Sequence, residues 1–259
     1  MALEIKPLKE GHAVTYRQPT NDILPRIPFR GLALAPSGSG KTLAIVNMLT
    51  RPEFYGHLFT HIYWCSPSSR IDPAINPLRE FVENHLEQNQ DDDPTFHDSV
   101  DVEFLQSRVD RQRKVIEHMK KSKTKQPGFA MCIVIDDLAD VKRGLPAVAR
   151  FVDAPFVKFK HWGISIILST QKLKLPLISP TVRVNITFAL VFRLRNNSDL
   201  EDGFLREYSS IVDKETLRAM YATSTSVPFG FLYLNLMEQD RNKIFHNQFR
   251  SRFIIDQGK

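Results

Sequence analysis

Phe29-Arg30-Gly31-Leu32-Ala33-Leu34-Ala35-Pro36-Ser37-Gly38-Ser39-Gly40-Lys41-Thr42 is the stretch whose reading decides the fold. An apolar run, Phe29 to Ala35, ends in a turn of small residues, and helical character follows from Lys41 to Thr50. Strand, glycine-rich loop and helix in that order let successive backbone N–H groups converge on phosphate oxygens. The glycines permit the tight backbone, and the helix adds the positive end of its dipole. The reading assigns nucleotide contact to Pro36, Ser37, Gly38, Ser39, Gly40, Lys41 and Thr42. Lys41 would reach the β- and γ-phosphates of ATP, and the Thr42 hydroxyl would ligate Mg2+. Ala35 stands where the pattern usually begins with Gly and is the smallest replacement available.

Outward from that loop, Thr60 to Cys65 is strand-like and is broken by Ser66-Pro67-Ser68-Ser69. Pro77 to Leu86 looks helical, and Val102 to Met119 suits a helix with charges along its open face. The acidic stretch Glu87 to Asp98, with Asp91-Asp92-Asp93-Pro94, reads as a solvated surface loop in preference to a metal site. Ala130 to Ile135, Gly163 to Leu168 and Ile186 to Phe192 are continuous apolar runs, as expected of parallel strands buried on both faces. Phe229 to Leu236 is expected to be a last strand paired with Lys243 to Phe249. The fold class is therefore α/β: a P-loop NTPase of the RecA/ASCE-like kind, with a mainly parallel sheet flanked by helices. The expected organisation is an N-terminal arm (1–28), one ATPase domain (29–250) and a short C-terminal tail (251–259).

The second half of such a site needs a carboxylate at the end of a buried strand. Met131-Cys132-Ile133-Val134-Ile135-Asp136-Asp137 provides two. Asp136 is assigned to the metal, and Asp137 to orienting or deprotonating the attacking water. An Asp is shorter than the more usual Glu in that second role. Gln171, ending Ile164-Ser165-Ile166-Ile167-Leu168-Ser169-Thr170-Gln171, can sense the γ-phosphate or position water; alternatively it caps a helix or bonds to a loop.

Composition narrows the field. The chain has 259 residues, is 42% hydrophobic and 25% charged, and carries a net charge of +6, all globular values. No apolar run approaches the ~20 residues of a membrane span, and the N-terminal MALEIKPLKEGH lacks an apolar signal core, so no membrane partner and no secretion are expected. Cys65 and Cys132 read as buried, reduced thiols, and the histidines show no zinc-ligand spacing.

The order APSGSGKT, CIVIDD, ISIILSTQ and Pro180-Thr181-Val182-Arg183-Val184-Asn185 resembles the FtsK–HerA superfamily of DNA-pumping ATPases. The likeness is nearest to the poxvirus-type DNA-packaging ATPases of large DNA viruses, virophages and related transposons. HIYWCSPSS and VPFGFLYLNL belong to the match, which runs roughly from residue 28 to 250. The resemblance implies that Lys41 and Thr42 bind nucleotide and metal, that Asp136 and Asp137 form the acidic pair, and that Gln171 is the sensor. It further implies a homo-oligomeric ring that drives double-stranded DNA, without sequence preference, into a capsid. A capsid protein would be a partner, and the site of action the host cytoplasm or nucleus, with virion association.

Relatives tend to carry a finger arginine before the sensor strand. Here that stretch reads Lys158-Phe159-Lys160-His161-Trp162-Gly163, so Lys160, Arg150 or Arg183 would serve. Lys120, Lys121, Lys123, Lys125, Lys142, Arg143, Lys172 and Lys174 either track a DNA backbone or solubilise the surface. Two competing readings are a P-loop kinase acting on a small acceptor and a nucleotide-dependent DNA-binding or scaffold protein with little turnover.

Overall fold

The computed structural model describes residues 13–137, 145–173 and 178–255. Among them, the first strand, β1 (Arg30–Leu34), runs into the glycine loop and then into helix α1 (Lys41–Thr50). There follow β2 (His61–Cys65), α2 (Asn76–His85), β3 (Phe96–His97), α3 (Val102–Lys121), β4 (Met131–Ile135), α4 (Leu145–Val157) and β5 (Ile164–Thr170). The chain continues with α5 (Pro180–Asn185), β6 (Phe188–Phe192), a π-helical segment Asp199–Leu205 that runs into α6 (Arg206–Tyr208), and α7 (Lys214–Ser224). β7 (Phe231–Asn235), β8 (Phe245–Asn247) and β9 (Ser251–Arg252) close it.

The strands form one sheet in the order β3-β2-β4-β5-β1-β6-β7-β8-β9. Pairing from β3 through β6 is parallel, and from β6 through β9 antiparallel. β5 stands between the strand that enters the glycine loop and the strand that ends in the acidic pair, which is the RecA/ASCE-like arrangement expected from sequence. The register sets Leu34 beside Thr170 and Ile135 beside Leu168, so all three strand ends reach the same edge of the sheet.

Strand alternation builds two cores, one on each face. Leu32, Leu34, Ile133, Ile135, Ile166 and Leu168 point to the face covered by α3, α4, α5 and α7. Ala33, Cys132, Val134, Ile167 and Leu190 point to the face covered by α1 and α2. Both cysteines are buried and free, and burial pushes the Cys65 thiol up to about 12. The arm lies along the second face: Gln18 clamps the Ile27 backbone through both halves of its amide, and Tyr55 and Tyr233 donate to the carbonyls of Pro25 and Ile23. Tyr16 packs where any side chain at Gly163 would sit; that glycine has φ 71° and ends the turn before β5.

The acidic stretch departs from expectation. Glu87, Asp91, Asp92 and Asp98 are exposed as expected, but residues 87–98 also carry β3 and a buried aspartate. Asp93 accepts from the Tyr63 hydroxyl at 2.9 Å and from Arg108 Nε at 2.7 Å. Thr95 and His97 carbonyls accept from Trp64 and Ser66, which extends the sheet. A run of acids looks solvated in sequence because the partners that bury one of them come from β2 and α3.

Candidate nucleotide site

At the carboxyl edge of β1 the backbone turns sharply. Gly38 and Gly40 both have positive φ, 77° and 88°. At Gly40 a side chain is disfavoured twice: by its left-handed backbone, and by Phe229 Cδ1, 3.0 Å from where a Cβ would lie. Helix α1 starts at Lys41 with no side-chain cap and no acid in its first turn. Its first N–H groups and the positive dipole end are thus left for an external anion.

Lys41 is the centre of the site. Its Nζ donates to Asp136 Oδ1 at 2.8 Å and to Asp137 Oδ1 at 2.5 Å. The Thr42 hydroxyl donates to the other Asp136 oxygen at 3.2 Å. Lys41 and Asp136 are buried, whereas the Asp137 side chain keeps about a quarter of its exposure, 26%. Burial alone would lower the Lys41 pKa; the two carboxylates outweigh it and hold the ammonium above its ordinary value. Asp137 has φ 54°, in the left-handed region, and its N–H donates to Asp136 Oδ1 at 3.0 Å. Both carboxylates thus hold one ammonium, Asp136 also accepting from Thr42 in the interior while Asp137 stays partly exposed.

Gln171 is half-buried and follows Thr170, whose carbonyl accepts from Ala35 N–H at 3.0 Å, so it sits beside the glycine loop. The structure thus brings Lys41, Thr42, Asp136, Asp137 and Gln171 to one edge of the sheet. Other basic residues are scattered. Lys121, which ends α3, and Lys123 and Lys125 beyond it are exposed, before the amino end of β4 and therefore at the opposite edge of the sheet. Lys172 is exposed next to Gln171, and Lys142, Arg143 and Lys174 lie outside the described residues. Of the three finger candidates, Arg183 is tied within its own chain to Glu207 at 3.4 Å and to the Ile178 carbonyl at 2.8 Å. Lys160 is exposed, as is Arg150, whose Nε donates to the Pro146 carbonyl.

Sequence reasoning passes over two arginines. β6, the other neighbour of β1, ends at Phe192, and Arg193 and Arg195 follow it. Arg195 donates to the Ser37 carbonyl of the loop at 3.3 Å. The signal that could have found them is positional: a basic pair just past a buried strand, whose adjacency to β1 only the sheet order reveals. Among the described residues no group of three or more His, Cys, Asp or Glu is placed to hold a metal ion, and no helix is long and apolar enough to cross a membrane.

Comparison with known proteins gives the same frame. The family described as "Poxvirus A32 protein" matches residues 18–227. "Uncharacterized protein 075L" of Invertebrate iridescent virus 6 is 24% identical over 151 residues, 58% of this chain and 54% of that protein; the match therefore spans about half the length of the curated relative. Among solved structures, the pCW3 conjugation coupling protein TcpA with ATPgS superposes with a TM-score of 0.55 at 12% identity, over 87% of this chain and 63% of that one. The genome packaging NTPase B204 of Sulfolobus turreted icosahedral virus 2, in complex with sulfate, gives 0.51 at 17% identity, over 82% of this chain and 94% of that one. At such identities these likenesses establish the fold.

Proposed function

The chain belongs to the poxvirus A32 protein family, and from that premise we propose that it is an ATPase motor that drives double-stranded DNA into a viral capsid. The observation that carries the reading is the convergence of Lys41, Thr42, Asp136 and Asp137, with Gln171 beside them, at one carboxyl edge. Ligands of open α/β sheets bind in that crevice.

In this reading the loop N–H groups and α1 cradle the phosphates, and Lys41 leaves Asp137 to reach the β- and γ-oxygens. The Thr42 hydroxyl and the Asp136 carboxylate, 3.2 Å apart, are the hard oxygen donors that suit Mg2+. When bound, the ion neutralises phosphate charge and orients the triphosphate. Once Lys41 has moved, Asp137 is free to accept a proton from the water attacking in line, and Gln171 orients that water. Lys160 or Arg150 would supply the cationic finger to a neighbouring subunit's site in a ring. Arg183 would have to break its bonds to Glu207 and Ile178 to do so. DNA would be gripped through phosphates without sequence reading, Lys172 being the described lysine nearest the site.

Phosphate release measured with and without duplex DNA tests the reading. A motor releases phosphate several-fold faster on DNA of any sequence. Transfer of the γ-phosphoryl group onto a small acceptor, in place of its release as phosphate, would mark a kinase, and DNA binding without turnover a scaffold; either result overturns the proposal.

A further inference from the structure

Above the glycine loop, on the side away from the acidic pair, lies a cavity of about 280 Å³ lined by Gly38, Ser39, Arg193, Thr225, Val227 and Phe229. Its outer wall is the turn between α7 and β7. The polar groups of that turn are spent internally: Thr225 Oγ1 donates to the Tyr221 carbonyl, Ser226 Oγ to the Thr223 carbonyl, and Gly230 N–H to the Val227 carbonyl. The surface offered to the cavity is therefore largely apolar and aromatic, with Arg193 as its charged residue.

Phe229 is the unusual member. It is 69% exposed although it is a large apolar residue, and its backbone has φ 59°, a region bulky residues rarely occupy. It rests on Gly40 and leaves a ring face in the open beside the loop. Arg193 is set by β6, whose Val191 pairs with Leu34 of β1. An exposed aromatic ring and an arginine lining one cavity are two kinds of side chain on which a nucleobase can stack.

We propose that this cavity is the nucleobase subsite: Phe229 and Arg193 hold the purine ring of the nucleoside triphosphate whose phosphates lie on residues 36–42. The inference rests on the reading of that loop as a phosphate site, and the occupant follows from it. The group covalently attached to phosphates held at Gly38–Thr42, and within reach of the cavity, is the nucleoside. Stacking tolerates any base, so ATP and GTP are expected to depend on Phe229 alike.

Calorimetric binding of the magnesium complexes of ATPγS and of inorganic tripolyphosphate separates the parts. Phe229→Ala should weaken ATPγS by about tenfold or more, the loss expected for one stacked base, and leave tripolyphosphate unchanged; Phe229→Tyr should bind like the unaltered chain. Unchanged ATPγS affinity in Phe229→Ala, or equal loss of both ligands, overturns the subsite. Lys41→Ala should weaken both ligands. If it weakens neither, the phosphate-site reading itself fails, whatever Phe229 does.

Discussion

Asp136 and Asp137 compete for the same ammonium, and the competition makes their roles separable. Asp137→Asn removes the proton acceptor and also one of the two carboxylates holding Lys41. Hydrolysis should slow by ~100-fold or more, while nucleotide affinity stays level or rises. Asp136→Asn should instead weaken magnesium-dependent binding, because Thr42 loses its partner oxygen. Binding isotherms and single-turnover rates on the two variants check this; the opposite pattern would mean that the roles are exchanged. Lys41→Ala should abolish turnover, which a phosphate-release assay reads directly. It should also lower stability by about 3 kcal/mol, since Asp136 is left buried without its cation. These residues were legible in sequence because the chemistry is written locally: glycines at set spacing, and acids ending an apolar strand. Arg193 and Phe229 were not, because what marks them is nearness to a loop far away in the chain.

At the scale of elements, the corner made by β2, β3 and α3 carries the largest departure from the sequence reading. Asp93 joins all three through Tyr63 and Arg108, and Gln88 fixes the approach by donating to the Asp93 carbonyl and accepting from Ile62 N–H. Asp93→Ala would leave a half-buried guanidinium without its carboxylate and a buried hydroxyl unpaired. A loss of about 3 kcal/mol is expected, read as a lower denaturant midpoint with an unchanged slope. A change within about 0.5 kcal/mol, the size expected of an ordinary surface substitution, would restore the solvated-loop picture. The central strands were legible because their continuous apolar runs are short, rich in Ile and Val and bounded by turn residues, which favours a buried strand over a buried helix. β3 has two residues and no periodicity, and in α4 Pro146 and Pro155 interrupt the pattern, so neither could be read from the chain alone.

For the molecule as a whole, two histidines tie stability to pH. Burial is the main cause lowering the pKa of both His61 and His246 below 6.5; Asp93 opposes it at His61, and the Lys243 carbonyl opposes it at His246. Each is therefore neutral when folded at pH values where the unfolded chain takes up a proton. Their contribution is fully present above about pH 6.5 and is lost as pH falls below it. The melting temperature should decline from about pH 6.5 downward, and the decline should be shallower in His61→Gln/His246→Gln; equal slopes would place the acid sensitivity elsewhere.

Among the described residues, nine strands in one sheet, with cores on both faces, form the base for the edge at which the proposed reading has ATP hydrolysed and DNA engaged. The central claim is that hydrolysis at that edge moves DNA, and displacement of a triplex-forming strand from duplex DNA tests it most directly. The account predicts ATP-dependent displacement on any duplex sequence, none with ATPγS, and none by Lys41→Ala. Displacement that proceeds equally without hydrolysis, or DNA-stimulated hydrolysis that never displaces the third strand, would contradict it.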